Sequence, residues 1–343
     1  MDATLLQRDR TARSDAARGE HEPVVSVVVV TFQSALDVVA CLRSVRRCRL
    51  PHEIVVVDNA SRDDTVACLR ADPALADVLR CNPENVGFAK AVNRGIQLSR
   101  GRYVLLLNPD AVVEPGAIER VVQVLDDHPD AGVAGCLLLN PDGTEQAGGR
   151  RAVPTPARTL ARTLALHRLF PGRAWARGFL LNEEPLPAIT IDVEATSGAF
   201  MMVRRSAIED VGAMDEGYFM HCEDLDWCMR FRDRGWRVLF EPTAKVLHKK
   251  GASGRRRRVR VEWHKHKGMV RFYRKFFRAR YPALLMPVIV AAVWLRFALK
   301  AALVVAADAR DALVPARSQD GSARWPNGVY RPPAAGRTPQ PRS

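Results

Sequence analysis

Residues Val24 to Val30, Val-Val-Ser-Val-Val-Val-Val, constrain the fold more than any other stretch. Adjacent β-branched side chains favour an extended backbone. A strand apolar on both faces must be covered on both sides, as the strands of a parallel sheet are. Parallel neighbours cannot be joined by a tight turn and need a crossover, usually a helix. The next residues supply one: Asp37 to Val45 carries apolar residues at 38, 39, 42 and 45, with Asp37 at the helix start. Glu53 to Val57 reads as a second buried strand ending in Asp58-Asn59-Ala60-Ser61, and Asp64 to Ala71 as a second helix. Strand, helix, strand, helix is the order of a doubly wound α/β sheet.

Such sheets bind ligands at the carboxyl ends of their strands, so the residues there are the candidates. Thr31 follows the first strand and Asp58 the second. No GxGxxG follows the first strand, which disfavours a dinucleotide and leaves a mononucleotide. Asn82 to Ala89 is a loop rich in turn residues before a helix near Lys90 to Leu98. Backbone amides at that helix start, with Lys90 nearby, suit a diphosphate; a tight turn using Gly87 is the other reading. Tyr103 to Leu107 is a short apolar strand stopped at Asn108-Pro109-Asp110, because Pro109 cannot donate to a central ladder. Asp110 is thereby left at the sheet edge, with the oxygen ligands that Mg²⁺ prefers. A second Asn-Pro-Asp at 140–142 precedes Gly143 and reads as a plain hairpin turn after the strand Ala131 to Leu139.

Further along, residues 147 to about 187 show weak periodicity and read as a flexible basic excursion. Val193 to Val203 returns to strand, with Ser197-Gly198 where backbone can approach a ligand. Glu223, Asp224 and Asp226 open a helix running to about Arg234, among Phe219, Met220, Leu225 and Trp227. A carboxyl half-buried among apolar groups has a raised pKa and can serve as general base. His248 is a nitrogen donor able to complete a metal site with Asp110.

Seven cysteines without a CxxC pair read as reduced cytosolic thiols, and no apolar core of signal-peptide length opens the chain. A net charge of +14 points to an anionic partner. The excess collects between Lys249 and Arg280, interleaved with aromatic residues, a pattern suited to an anionic membrane surface. In the apolar stretch Pro282 to Ala307, the uninterrupted piece Ala283 to Leu295 is shorter than the about 20 residues a bilayer needs. Arg296 and Lys300 then interrupt it, so an in-plane or shallow helix pair is expected. Nucleic-acid binding is disfavoured, because acids occupy the strand ends.

These segments, VVVVTFQSA, VVVDNASRDDT, NPENVGFAKAVNRG, YVLLLNPDAVVE, SGAFMMVRR, FMHCEDLDWCMRFRDRGW and HKKGAS, stand in the order found in family 2 glycosyltransferases. From about Val24 to Phe277 the chain resembles that family, with its GT-A fold and mixed sheet, and its bacterial rhamnosyltransferase-like members. The resemblance implies an inverting transfer from a nucleoside-diphosphate sugar (dTDP- or UDP-linked, rhamnose favoured) to a lipid-linked or glycan acceptor in envelope synthesis. Thr31 and Asp58 would bind the nucleoside, and Asn85, Gly87, Lys90 and Asn108 would line the donor site. Asp110 would bind a divalent cation, Mg²⁺ or Mn²⁺, with His248. Asn108 replaces the first acid of the family's DXD-type motif, so coordination through one carboxylate is expected. Asp224 would be the base, Glu223 the fallback, and Ser197, Gly198, Asp226 and Trp227 would face sugar or acceptor. The organisation implied is a lead-in at 1–22, a catalytic domain at 23–250, a membrane-associating segment at 251–307 and a disordered tail at 308–343. The enzyme would work peripherally or shallowly inserted at the cytoplasmic face of the cell membrane. A nucleic-acid-binding protein or a non-catalytic scaffold are the other readings of such a chain.

Overall fold

In the computed structural model, residues 22–163, 170, 178–249 and 258–313 are described. The lead-in before residue 22, the tail beyond 313, and Arg255 to Arg257 of the basic run lie outside them. The first half alternates as expected: β1 (Val25–Thr31), α1 (Val38–Val45), β2 (His52–Asp58), α2 (Thr65–Ala71), β3 (Val78–Cys81), α3 (Phe88–Leu98) and β4 (Tyr103–Leu107). All four strands pair in parallel, in the order β3-β2-β1-β4. Val25, Val27 and Val29 pack on one side of the sheet with α1; Val28 and Val30 pack on the other with α3. One apolar run thus serves two cores, which is why both its faces are hydrophobic.

Past Pro109 come β5 (Ala111–Val113), α4 (Ala117–Asp127), β6 (Ala131–Leu139), β7 (Arg150–Arg151) and α5 (Pro156–Thr163). There follow β8 (Ile191–Asp192), β9 (Ala195–Thr196), β10 (Phe200–Arg204), α6 (Arg205–Val211), α7 (Glu223–Asp233) and β11 (Arg237–His248). The main sheet runs β3-β2-β1-β4-β10-β6-β11-β5, with β8 on β11. It is mixed: β10 lies antiparallel between β4 and β6, while β6 and β11 are parallel.

Three expectations change. Val193 to Val203 is two strands rather than one: β9 pairs with β7 in a separate two-stranded sheet, and the chain breaks at Ser197-Gly198 before β10 joins the main sheet. Arg237 to Phe240 and Ala244 to Leu247, two separate short runs when read from sequence, form a single strand, Arg237–His248, with a register shift between Glu241 and Lys245 that bends it at a bulge. The excursion after 147 is partly built in: Arg150 is buried and pairs with Glu145, and Thr159 bonds Tyr273 at 2.8 Å.

Two helices close the described chain, α8 (Arg258–Phe277) and α9 (Leu285–Leu313). Val270, Phe272, Tyr273 and Phe277 of α8 join the core that contains α3 and α7. The apolar stretch is one continuous helix, since Pro287 falls in its first turn, where an amide is not needed. Leu285–Asp308 is therefore long and apolar enough to cross a bilayer, with a mean hydropathy of 2.2, and length alone no longer excludes a span.

The closest approach between α3 and the sheet is at Gly95. A Cβ there would meet Val28 Cγ1 at 2.3 Å. Gly95→Ala is expected to lower stability by about 1–2 kcal/mol net, overpacking outweighing the gain in helix propensity. A urea midpoint that falls at constant slope would show it; an unchanged midpoint would mean α3 shifts freely.

Candidate active site

The ends of β1 and β2 form a closed hydrogen-bond network. Thr31 and Asp58 are register partners at the ends of β1 and β2. Thr31 Oγ1 donates to Asp58 Oδ1 at 2.7 Å, Ser61 Oγ donates to the same oxygen at 2.6 Å, and the Ser61 amide donates to Oδ2 at 2.9 Å. Asn59 donates to the Gly87 carbonyl at 3.1 Å and accepts from Asn82 at 2.9 Å. This ties the β2 end to the loop before α3. In that loop Asn85 Oδ1 accepts the Gly87 amide at 3.0 Å. Gly87 has φ +89°, and a Cβ there would lie 2.8 Å from the Phe219 carbonyl oxygen. Conformation and crowding both require glycine. Lys90 is half-buried one turn into α3, without an ion pair among the described residues.

The turn at Pro109 delivers Asp110 to a histidine from the far end of the chain. β11 pairs antiparallel with β5, His248 opposite Ala111. His248 Nε2 lies 3.1 Å from Asp110 Oδ1 and 3.2 Å from Asn108 Nδ2. Gln146, which sequence reasoning missed, decides the tautomer. Its Nε2 donates to the His248 carbonyl oxygen and to Asn140 Oδ1, both at 3.0 Å. A carbonyl can only accept, so Gln146 Oε1 faces Nδ1 at 2.6 Å, and Nδ1 carries a proton. In the neutral ring, Nε2 then presents a lone pair beside the Asp110 carboxylate. An imidazole lone pair and a carboxylate oxygen side by side fit a divalent cation between them. Among the described residues no three His, Cys, Asp or Glu side chains gather as a metal cluster; Asp110 and His248 are a pair. The 140–143 turn is a hairpin, as expected, with Leu139 bridged to Glu145.

The acidic helix start reaches the same edge through β10. The Asn108 amide donates to the Ala199 carbonyl at 3.0 Å. Next to Ala199, the Gly198 amide donates to Asp224 Oδ2 at 3.2 Å. A Cβ on Gly198 would touch both Asp224 and Phe88. Arg151, on β7, also binds Asp224 Oδ2 and reaches the Thr196 carbonyl at 3.2 Å. The Leu225 amide donates to Asp224 Oδ1 at 2.8 Å. Three donors thus converge on Asp224, whereas Glu223 Oε2 is buried without a partner. Burial first, and the neighbouring Asp224 charge second, push the Glu223 carboxyl well above its usual range. Arg151 carried no periodic or motif signal; the polar run after the hairpin was its only hint.

Two expected site residues point elsewhere. Asp226 is fully buried and accepts from Tyr218 at 3.1 Å, Arg230 at 2.8 Å and Lys275 at 2.7 Å. Trp227 is fully buried, with its indole N–H on the Gly212 carbonyl at 2.9 Å. On a helix, position 226 faces away from 224, while Trp227, three residues on and so on the side of 224, is packed into the core; the first turn divides between site and core. Ser197 stays beside Gly198, its Oγ accepting the Ala199 amide at 3.2 Å. The backbone is bent hard around this edge: Gln33, Ala60, His221 and Cys222 all have φ between 56° and 71°. Each such non-glycine residue costs about 1–2 kcal/mol, and all four lie in loops at the ligand end.

A family model, glycosyl transferase family 2, matches residues 26–212. The N-acetylglucosaminyl-diphospho-decaprenol L-rhamnosyltransferase of Mycobacterium tuberculosis is 31% identical over 243 residues, 67% of this chain and 77% of that protein. The rhamnosyltransferase WbbL of Escherichia coli is 26% identical over 148 residues, 43% of this chain and 52% of that protein. In fold the chain is similar to the mannosyltransferase PcManGT of Pyrobaculum calidifontis, solved with GDP-Man and Mn²⁺. That TM-score is 0.51 at 21% identity, covering 89% of this chain and 82% of the other.

Glu223 makes the site sensitive to pH in a defined direction. Its folded pKa lies above the ordinary 4.5, so between the two values the native state holds a proton that the unfolded state has lost. Stability falls as pH rises through that window. Relative to Glu223→Gln, the native chain is expected to lose stability from about pH 5 to pH 8, with a slope no steeper than about 1.4 kcal/mol per unit. Urea titrations across that range would show parallel curves if Glu223 is instead ionised in the folded state.

Proposed function

The chain belongs to glycosyl transferase family 2 and is a glycosyltransferase, and from that premise we propose that it transfers rhamnose, with inversion, from a dTDP-linked donor to a lipid-linked sugar of the cell envelope. The observation that carries this reading is one hydrogen-bonded path: Asp110 beside His248, Asn108 to Ala199, Gly198 to Asp224. It brings Asp110, His248 and Asp224 to one sheet edge, which supports reading the first two as cation ligands and the third as the base. The donor specificity follows the names of the relatives; a UDP-linked donor is the variant that the nucleoside network of Thr31, Asp58 and Ser61 also accommodates.

In this mechanism Asp110 and His248 would hold a divalent cation, which when bound would supply positive charge for the departing nucleoside diphosphate. Asp224 takes the proton from an acceptor hydroxyl as its oxygen attacks the anomeric carbon. Arg151 and the Gly198 amide hold the Asp224 carboxylate by Oδ2, orienting it toward the acceptor. Glu223, buried and biased toward its neutral form, adds no second negative charge beside the base. Lys90 and the first-turn amides of α3 beyond Phe88, whose own amide is taken by Phe219, bind diphosphate oxygens.

The site is proposed to work at a membrane surface. α8 and α9 lie side by side: Trp263 meets Trp294 at 4.8 Å, His266 meets Phe297 at 5.6 Å, and Arg258 pairs with Asp308 at 3.4 Å. A crossing α9 would draw the charges of α8 into the bilayer at about 2.5–3.5 kcal/mol each at mid-depth. An in-plane position avoids that and uses the exposed stripe Val288, Leu295, Leu299 and Leu303. The orientation expected is toward the cytoplasmic leaflet.

Asp224→Asn is expected to lower turnover by about 10²–10⁴-fold with donor binding intact, and Asp110→Ala to abolish metal-dependent binding of the nucleoside diphosphate. Calorimetric titration with dTDP and UDP, with and without Mn²⁺, separates the two; turnover surviving both substitutions would sink the assignment. Replacing Leu295, Leu299 and Leu303 together by Asn is expected to abolish co-flotation with phosphatidylglycerol-containing vesicles while leaving nucleotide binding unchanged. Retained flotation would place the membrane contact elsewhere.

A further inference from the structure

Resting on that acceptor reading, we infer that the face of α8 formed by Arg260, His264 and Lys267 binds the diphosphate of a lipid-linked acceptor. These residues are spaced i, i+4 and i+7, so they share one side of the helix. That side lies on the loop leading into the acidic helix start. The His264 ring stacks on Phe219 at a centroid distance of 4.2 Å, and the Arg260 guanidinium lies 6.0 Å from the same ring centre. One turn on, a Cβ at Gly268 would be 2.8 Å from the His221 carbonyl oxygen, so α8 meets this backbone in direct contact. Phe219 also faces the donor side: its carbonyl accepts the Phe88 amide at 2.7 Å and crowds Gly87. The cationic face and the Asp224 site are therefore two sides of one loop.

Among the described residues of α8, Arg260, Lys267 and Arg274 have no ion pair, and of these Arg260 and Lys267 flank His264 at the Phe219 loop. Their neighbours on α8 are paired: Arg258 with Asp308, Lys265 with Glu262, Arg271 with Asp215, and Lys275 with Asp215 and Asp226. Arg260 and Lys267 are exposed and have no ion pair among the described residues. Burial, then the positive field of Arg260 and Lys267, holds the His264 imidazole below its ordinary pKa. Two uncompensated cations beside an acceptor loop match a diphosphate, with its two or more negative charges, better than they match a neutral sugar. The exposed apolar stripe of α9, on the helix packed against α8, offers a surface for the lipid chain attached to that diphosphate.

The test is equilibrium binding of geranyl diphosphate to the full chain, with the donor site filled by saturating nucleoside diphosphate and Mg²⁺. Arg260→Gln/Lys267→Gln changes only exposed side chains, and Arg47→Gln/Arg70→Gln removes the same charge from exposed positions just after α1 and on α2. The first variant is expected to bind geranyl diphosphate about tenfold more weakly, with the control within about twofold of wild type. Flotation with phosphatidylglycerol vesicles should be unchanged in both. Geraniol, lacking the diphosphate, should bind no differently to the three proteins. The proposal is overturned if wild type does not bind geranyl diphosphate, if the control loses as much, or if vesicle and diphosphate binding fall together, which would make the face a headgroup site. Turnover retained by Asp224→Asn would count against the catalytic reading and leave this binding result standing.

Discussion

The site depends on an antiparallel strand inserted into a parallel sheet. β10 runs between β4 and β6, against the direction of both. Because it enters the sheet at the edge where β4 leaves, Ala199 meets Asn108 and Gly198 meets Asp224. An all-parallel sheet would have required a crossover there, and the chain would have entered from the opposite edge. Asp110, His248 and Asp224 are brought to one edge because of this reversal.

Around that strand the ligand edge is locally strained and the body of the sheet is not. Valines and leucines fill both faces of the sheet, whereas the left-handed residues Gln33, Ala60, His221 and Cys222 cluster in loops at the strand ends. The apolar layers supply the stability that such loops consume. The same division explains the acidic helix start, where Asp226 is neutralised in the core by Arg230 and Lys275 while Glu223 and Asp224 remain at the edge.

The C-terminal helices link the two ends of this design. α8 is partly core, through Phe272, Tyr273 and Phe277, and partly a charged wall against the 215–222 loop. α9 is held along α8 and leaves its apolar stripe uncovered. A displacement of this pair would act directly on the Phe219 loop, and through it on Gly87 and the donor side.

Much of this was legible from residues alone. Runs of β-branched residues bounded by turn signals identify β1, β2, β4 and β6, because strand propensity and two-sided burial are local properties. Pro109 placed Asp110 at the sheet edge for an equally local reason. The resemblance to the glycosyltransferase family rested on seven segments in order and agrees with the matching family model. What the sequence did not contain were contacts made across long separations: Gln146 setting the His248 tautomer, Arg151 holding Asp224, and the burial of Asp226 and Trp227. Short charged or amide side chains carry no periodic signal, and their roles come from whichever strand lies opposite. The sequence by itself determined the strands, the edge and the residue types available there; tertiary packing alone decided that Asp224 is held by Arg151 and Gly198 while Asp226 turns into the core, since the Arg151 contact joins residues 73 apart in sequence.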